Sequence, residues 1–215
     1  MIGVYDYTVI ATYLATVLGV CGMMQAIEGK PLTAIFCLLA AGLLDTVDGR
    51  IARTKKNRTA TEKGFGIQID SLNDVMCFGA LPALIAYVLA TEEWLGEAPV
   101  WYSATLIFFA LTGLIRLAYF NVTEEERQRS SAEPRKYYMG LPITSSTLLF
   151  PLLYLIAMMP KNGTVSAIVM AVGMFVVGVL FITPIHIRKP HLPGLAAIGV
   201  VGAVEVVLLI VEALK

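Results

Sequence analysis

Long runs of apolar residues, separated by short polar breaks, occupy most of the chain. A helix that spans a membrane needs about 20 mainly apolar residues, and seven segments come close to that length. These predicted spans are residues 8–27, 31–53, 67–91, 100–121, 141–159, 164–183 and 192–213. Glycine and proline fall between the segments, where they usually end helices. The pattern predicts an all-α integral membrane protein, a polytopic bundle of about seven transmembrane helices.

Composition agrees with this membrane assignment. The 215 residues are 57% hydrophobic and only 15% charged, whereas soluble domains carry roughly 25% charged residues. Because no linker or repeat interrupts the apolar segments, we interpret residues 1–215 as one membrane-embedded domain. The first apolar stretch lacks the basic flank and the cleavage site of a signal peptide, so we expect it to remain as the first span.

Lysine and arginine are distributed unevenly between the predicted loops. Most of them lie in the loops 54–66, 122–140 and 184–191, while the opposite loops carry Lys30 and Lys161. Since basic loops of membrane proteins usually face the cytoplasm, this bias predicts a cytoplasmic N-terminus. The loops after the second, fourth and sixth helices are then cytoplasmic as well, and the C-terminus lies outside.

Four aspartates interrupt the second and third predicted helices. Asp45 and Asp48 are three residues apart, so they share one helical face. Asp70 and Asp74 are four residues apart and share a face of the next helix. Both pairs fall towards the cytoplasmic ends of two consecutive antiparallel helices, which can bring the four carboxylates together. Charged groups inside membranes are costly and usually serve a function.

Carboxylates this close repel one another and take up protons unless cations neutralise them. Mg²⁺ and Mn²⁺ prefer oxygen ligands, and Mg²⁺ commonly joins carboxylates to the phosphates of a substrate. Two such ions suit four carboxylates better than one. The aspartates therefore predict a site for two divalent cations, Mg²⁺ or Mn²⁺, beside a phosphate ligand.

The residues around the aspartates also suit a phosphate ligand. Gly49 and Gly66 leave the helix surface free of side chains, and Ala52 keeps it small. Arg53 lies on the Gly49 face and can pair with a diphosphate. Taken one at a time, such small residues are equally typical of helix packing in membranes. Helix packing does not account for the aspartates.

In sequence order these residues form the pattern D-x2-D-G-x2-A-R, a gap, and G-x3-D-x3-D. The eight matching positions are Asp45, Asp48, Gly49, Ala52, Arg53, Gly66, Asp70 and Asp74. The pattern resembles that of the CDP-alcohol phosphotransferase family, integral membrane enzymes of phospholipid synthesis. The gap between Arg53 and Gly66 is longer than is usual in the family, and its extra residues are polar. The resemblance implies a six-helix family core, here with an added C-terminal helix.

Three further segments resemble the phosphatidylserine synthase branch of this family. They are FGIQIDSLNDVMCFGALPA at 65–83, RLAYFNV at 116–122 and YYMGLPITSS at 137–146. Tyr119 stands where the branch usually has arginine, and the Pro-Asn pair of the first helix is missing from YDYTVIATY. These departures leave the acceptor alcohol open, although the resemblance extends from about residue 8 to 185.

The resemblance implies metal-dependent transfer of the phosphatidyl group from CDP-diacylglycerol to the hydroxyl of L-serine, which gives phosphatidylserine and CMP. Asp45, Asp48 and Asp70 would be metal ligands, and Asp74 would be both a further ligand and the catalytic base. The implied CDP-binding residues are Asp45, Asp48, Gly49, Ala52, Arg53, Gly66 and Asp70. The resemblance also suggests a homodimer in the cell membrane, with a complete site in each protomer facing the cytoplasm.

Recognition of the acceptor is the least constrained part of the site. The candidate acceptor or phosphate contacts are Arg116, Asn121, Arg135 and Lys136. Arg135 and Lys136 fit the ordinary positive charge of a cytoplasmic loop equally well. Glycerol-3-phosphate, inositol phosphate and inositol therefore remain alternative acceptors, and an ether lipid remains an alternative donor. A more distant alternative is an ion-coupled transporter, because buried carboxylates also mark ion pathways.

Overall fold

The computed structural model describes residues 2–130, 137–188 and 192–214. Seven helices run through these ranges, and each matches one predicted span. They are α1 (Ile10–Ile27), α2 (Pro31–Thr54), α3 (Ala60–Trp94), α4 (Val100–Ser130), α5 (Ser146–Met158), α6 (Gly163–Ile182) and α7 (Leu192–Ala213). The predicted all-α class is confirmed.

Five of the helices, α1 to α4 and α6, are long and apolar enough to cross a membrane. The apolar stretch Ile143–Met158 is shorter, and it opens with a 3₁₀ turn at Ile143–Ser145. Large apolar side chains such as Val17, Ile107 and Val172 are more than half exposed on the outer helix faces. Soluble proteins rarely expose apolar surface over so wide an area, so these faces suit contact with lipid.

α3 begins at Ala60, earlier than the predicted start at residue 67, because a polar cap initiates it. Thr59 Oγ1 accepts a hydrogen bond from the Glu62 backbone N–H at 3.1 Å, and the Glu62 side chain accepts one from the Thr59 N–H at 2.8 Å. This reciprocal pair satisfies two backbone donors that a helix start otherwise leaves unpaired. Gly66 consequently lies inside the helix, on the turn before Asp70.

α4 ends at Ser130, well past the predicted end at residue 121. The acidic run 124–126 continues the helix, and Arg127 Nη2 pairs with Glu124 Oε1 at 2.6 Å, three residues earlier. Such pairs support a helix in water. An apolar window finds only the membrane part of a helix, which explains why the prediction started α3 too late and ended α4 too early.

The middle of α3 departs from regular α geometry. A π-helical segment, Val75–Ala80, starts directly after Asp74. Pro82 follows closely, and its ring removes a backbone donor and crowds the preceding turn. The wider π turn accommodates that proline, and π segments often occur at functional sites. The side chains beyond Asp74 are therefore rotated relative to those of Asp70 and Asp74.

Glycines on α1 let it pack tightly against α3. A Cβ at Gly19 would lie 2.5 Å from Cys77 Sγ, and one at Gly22 would lie 3.0 Å from Leu81 Cδ2. Small residues commonly allow such close helix contacts in membranes. The fully buried core includes Leu81 and Phe78 of α3. This packing fixes α1 beside the helix that carries Asp70 and Asp74.

A short antiparallel ladder joins β1 (Tyr137–Met139) to β2 (His186–Arg188), with Tyr138 opposite Ile187. The apolar pattern did not predict it, because three-residue strands in loops leave no periodic signal. Gly140 follows β1 with a φ of +74°, and a Cβ there would lie 2.5 Å from the Phe181 carbonyl oxygen. The ladder ties the segment before α5 to the segment after α6.

Close packing predicts opposite effects for two glycine substitutions. A Cβ at Gly163 would lie 2.1 Å from the Trp94 carbonyl oxygen, whereas a Cβ at Gly199 has no neighbour within 4 Å. We expect Gly163→Ala to cost about 1–3 kcal/mol, since the backbone must move. Thermal unfolding in detergent should show a lower Tm for this variant and an unchanged or higher Tm for the control, Gly199→Ala. Equal Tm values for the two variants would contradict the packing of α6 against α3.

Candidate active site

Three of the four aspartates form a compact cluster between α2 and α3. One oxygen from each of Asp45, Asp70 and Asp74 lies within 4.8 Å of the other two. Oδ1 of Asp70 and Oδ1 of Asp74 are buried, and neither has a hydrogen-bond partner among the described residues. Buried acceptors without donors are rare in native proteins and need an explanation.

Asp48 faces the same region but also has a partner on α1. Its side chain is 8% exposed, and its Oδ2 accepts a hydrogen bond from Thr12 Oγ1 at 3.2 Å. The hydroxyl orients the Asp48 carboxyl and connects the first helix to the acidic cluster. Thr12 was not singled out from the sequence, although a threonine pair at 12 and 16 on an apolar helix marks a polar face.

The acidic cluster fits a divalent cation. Its oxygen donors are those that Mg²⁺ and Mn²⁺ prefer. The spacing of one oxygen from each of three side chains suits a shared ion, and the unpartnered Oδ1 atoms of Asp70 and Asp74 supply free acceptors. The donor set and its burial are thus compatible with the predicted metal site.

Two arginine side chains lie over the two glycines of the predicted nucleotide pocket. A Cβ at Gly49 would lie 3.7 Å from Arg53 Nη1, so the Arg53 guanidinium covers that face of α2. A Cβ at Gly66 would lie 2.6 Å from Arg58 Nη2. Arg53 was a predicted site residue, but Arg58 was not. Ala52 is partly buried on the same part of α2.

A polar seam connects α1 to α3 next to the cluster. Thr16 Oγ1 lies 2.9 Å from Asn73 Oδ1, and Cys77 Sγ lies 3.2 Å from the same oxygen. Asn73 is 2% exposed and immediately precedes Asp74. Cys77 is itself buried. The seam holds the turn that carries Asp74 against α1.

α4 contributes the two candidate acceptor residues that the structure describes. Asn121 Nδ2 donates to Ser71 Oγ at 2.8 Å, which places Asn121 beside the residue that follows Asp70. Arg116 is 8% exposed, and its guanidinium carbon lies 4.9 Å from the Phe120 ring centroid. Both residues face the interior on the α4 segment that adjoins α3. Arg135 and Lys136 lie outside the described residues.

The segment before α1 is tied to the loop between α2 and α3 by a cationic bridge. Lys55 Nζ lies 2.7 Å from Asp6 Oδ2 and 2.8 Å from Glu62 Oε1. The Lys55 hydrogen bond, with support from Thr8, lowers the pKa of Asp6 to about 2. The same contacts raise the pKa of Lys55, so the bridge stays ionised at neutral pH. The bridge therefore joins the segment before α1 to the end of α2 and the start of α3.

This arrangement, an acidic cluster on a membrane-helix hairpin with glycines and arginines beside it, agrees with the pattern that resembles the CDP-alcohol phosphotransferase family. The family model for CDP-alcohol phosphatidyltransferase matches residues 8–181, and the chain belongs to this family. The matched range contains α1 to α5, all but the last residue of α6, and all four aspartates. With five long apolar helices in the part of it that the structure describes, the chain is an integral membrane protein.

Several curated proteins are similar to this chain. A CDP-diacylglycerol–serine O-phosphatidyltransferase of Mycobacterium bovis is 33% identical over 131 residues, which cover 59% of this chain and 42% of that protein. Its Helicobacter pylori counterpart is 34% identical over 139 residues, 65% of this chain and 53% of that protein. An archaetidylserine synthase of Methanothermobacter thermautotrophicus is 30% identical over 181 residues, which cover 83% of this chain and 67% of that protein. The chain thus spans about half the length of the two bacterial relatives.

The Thr12 contact yields a prediction about metal binding. Thr12→Val keeps the size of the side chain but leaves Asp48 Oδ2 without its donor, whereas Thr12→Ser keeps the hydroxyl. We expect Thr12→Val to weaken Mn²⁺ binding about tenfold, the lower end of the usual effect for residues that orient metal ligands. Calorimetric titration of the purified protein measures it. Equal affinities for the two variants would show that the hydroxyl does not orient Asp48.

Proposed function

We propose that the protein transfers the phosphatidyl group of CDP-diacylglycerol to the hydroxyl of L-serine, which yields phosphatidylserine and CMP. The compact carboxylate cluster of Asp45, Asp70 and Asp74 carries this proposal, because it stands in a chain of the CDP-alcohol phosphatidyltransferase family. The choice of serine is supported by the names of the bacterial relatives. It is also supported by the segments 65–83 and 116–122, which resemble that branch.

In this proposal two divalent cations, Mg²⁺ or Mn²⁺, are held by Asp45, Asp48, Asp70 and Asp74. When bound, they would supply charge neutralisation at the phosphoryl oxygens and at the leaving CMP. Asp45, Asp70 and Asp74 supply the compact part of the ligand set. Asp48, oriented by Thr12, completes it from the α1 side.

The CDP group would lie along the small-residue faces of α2 and α3. Gly49 and Ala52 leave room for it, Gly66 would adjoin it beside the Arg58 guanidinium, and Asp45, Asp48 and Asp70 would adjoin it through the cations. Arg53 would pair with the diphosphate, since a guanidinium matches phosphate oxygens with two parallel hydrogen bonds. Its position over Gly49 supports this role.

Asp74 would act as the base. The serine hydroxyl oxygen attacks the β-phosphorus, the bond from that phosphorus to the bridging oxygen breaks, and CMP departs with the electron pair. The Asp74 carboxylate accepts the hydroxyl proton, as a general base within hydrogen-bond reach can. Its side chain is 7% exposed, so little water competes for that position.

The acceptor would bind between α3 and α4. Arg116 would pair with the serine carboxylate, and Asn121 would contact the acceptor from its position beside Ser71. Arg135 and Lys136 are further proposed contacts for the acceptor or a phosphate. The one domain would span residues 1–215 as a homodimer in the cell membrane, with each site open to the cytoplasm, as the positive-inside bias suggests.

A second candidate keeps the chemistry and changes the donor lipid. The Methanothermobacter relative, which is aligned over 83% of this chain, is named as an archaetidylserine synthase. An ether-linked CDP-lipid would present the same diphosphate to the aspartates and arginines. Family membership argues against the transporter alternative, because family members transfer phosphoalcohol groups rather than ions.

The acceptor is tested by CMP release from the purified protein with Mg²⁺ or Mn²⁺. The donor is CDP-diacylglycerol, or its diether analogue in a parallel series. We expect metal-dependent release with L-serine and little with glycerol-3-phosphate, inositol phosphate or inositol. Release with another acceptor alone would keep the site and change the branch. Without release for any acceptor and either donor, the proposed function would be wrong.

The roles of two aspartates predict different effects of charge removal. Asp74→Asn should lower turnover at least about a hundredfold, because the amide cannot accept the proton. A hundredfold is the smallest loss usually seen when a general base is removed. Asp74→Asn should weaken CDP-diacylglycerol binding less than Asp45→Asn, which removes a ligand of the nucleotide-bound metal. Binding is measured by titration and turnover by CMP release. Near-wild-type turnover of Asp74→Asn would exclude this residue as the base.

A further inference from the structure

The loop between α2 and α3 places a guanidinium on the α3 side of the site. Arg58 directly precedes Thr59, the cap of α3, and its side chain extends forward along the first turns of that helix. Its Nη2 donates to the Glu62 carbonyl at 3.0 Å. The same nitrogen lies 2.6 Å from where a Cβ of Gly66 would be. Gly66 thus provides the space that the Arg58 guanidinium occupies.

Arg58 has unused hydrogen-bonding capacity at this position. It is partly buried, and its Nε is buried without a hydrogen-bond partner among the described residues. Within the same ranges no carboxylate forms an ion pair with it. A guanidinium carries five N–H donors in a fixed fork. Leaving one of them buried without an acceptor is costly, so the arrangement points to an anionic partner that binds there.

The neighbouring cation Lys55 shows what a structural role looks like in this loop. Lys55 is paired with two carboxylates, Asp6 and Glu62, and so has no need of a ligand. Arg58 lacks such pairing and lies on the Gly66 face. Because Gly66 precedes Asp70 by four residues, the Arg58 guanidinium lies over the α3 face that carries Asp70 one helical turn later.

We propose that Arg58 binds the phosphate oxygens of the CDP-lipid, opposite Arg53 and on the α3 side of the pocket. This inference rests on the proposed function, since it needs a nucleoside diphosphate at the aspartates. The guanidinium of Arg53, over Gly49, and that of Arg58, over Gly66, would then form hydrogen bonds with the diphosphate from the α2 side and the α3 side. Arg58 is a substrate-binding residue and takes no part in proton transfer.

The test compares Arg58→Gln with Lys56→Gln, a matched control because Lys56 is an exposed cation of the same loop. The probes are water-soluble CDP and CDP-diacylglycerol, each titrated with Mg²⁺ present. We expect Arg58→Gln to weaken binding of both by about tenfold, as for the loss of a charge-assisted hydrogen bond. Lys56→Gln should change it less than twofold. Arg58→Lys should recover part of the affinity, because it keeps the charge but loses the fork.

The accompanying kinetics separate binding from a structural role. We expect a higher KM for CDP-diacylglycerol, with kcat and the Tm of Arg58→Gln close to wild type. A lower Tm and kcat with an unchanged KM would mean that Arg58 only supports the loop. A loss of CDP-diacylglycerol affinity without a loss of CDP affinity would assign Arg58 to the lipid part instead. Either result overturns the proposal, as does equal behaviour of Arg58→Gln and Lys56→Gln.

Failure of the proposed function has a different signature. If the wild-type protein binds CDP and CDP-diacylglycerol but releases no CMP with any acceptor, the transfer reaction is wrong while the Arg58 comparison still decides this inference. If the wild-type protein binds neither probe, both proposals fail together. If it binds both and Arg58→Gln binds equally well, only this inference is overturned.

Discussion

Mutual repulsion between closely spaced carboxylates is the constraint on which the rest of this structure depends. Asp45, Asp70 and Asp74 bring oxygens within 4.8 Å of one another, with Asp74 buried and the other two partly buried. Like charges at this distance destabilise each other strongly in a low-dielectric interior. The fold must therefore supply enough packing to hold the α2–α3 hairpin closed. It must also leave the cluster accessible to cations and to a ligand that carries phosphate.

The first helix supplies much of that support. Its polar contacts, Thr12 to Asp48 and Thr16 to Asn73, reach both helices that carry aspartates, and Gly19 allows α1 to approach Cys77 closely. The Lys55 bridge also holds the segment before α1 against the end of α2 and the start of α3. Metal ligands need such orientation, because a carboxylate that is free to rotate binds an ion weakly.

The sequence predicted what local periodicity can encode. The spacings of Asp45–Asp48 and Asp70–Asp74 placed each pair on one helix face, and the apolar segments located all seven helices. Residues that act through long-range contacts were missed. Thr12 and Asn73 look like ordinary polar residues until α1 is packed against α2 and α3. The helix starts and ends differed because Thr59 and Glu62 begin α3 in a polar stretch, where hydrophobicity gives no signal.

Counting charges also could not distinguish the roles of the basic residues between α2 and α3. Lys55 and Arg58 carry the same charge, lie three residues apart and contribute equally to a positive-inside bias. In the fold, Lys55 forms ion pairs with Asp6 and Glu62. The Arg58 guanidinium instead lies over Gly66, in space that is free because this residue has no side chain. Gly66 lies within a helix, where a glycine is unfavourable unless the space it leaves is used. The loop that lengthens the spacing between Arg53 and Gly66 therefore places a second guanidinium over the α3 face that carries Asp70 one turn later.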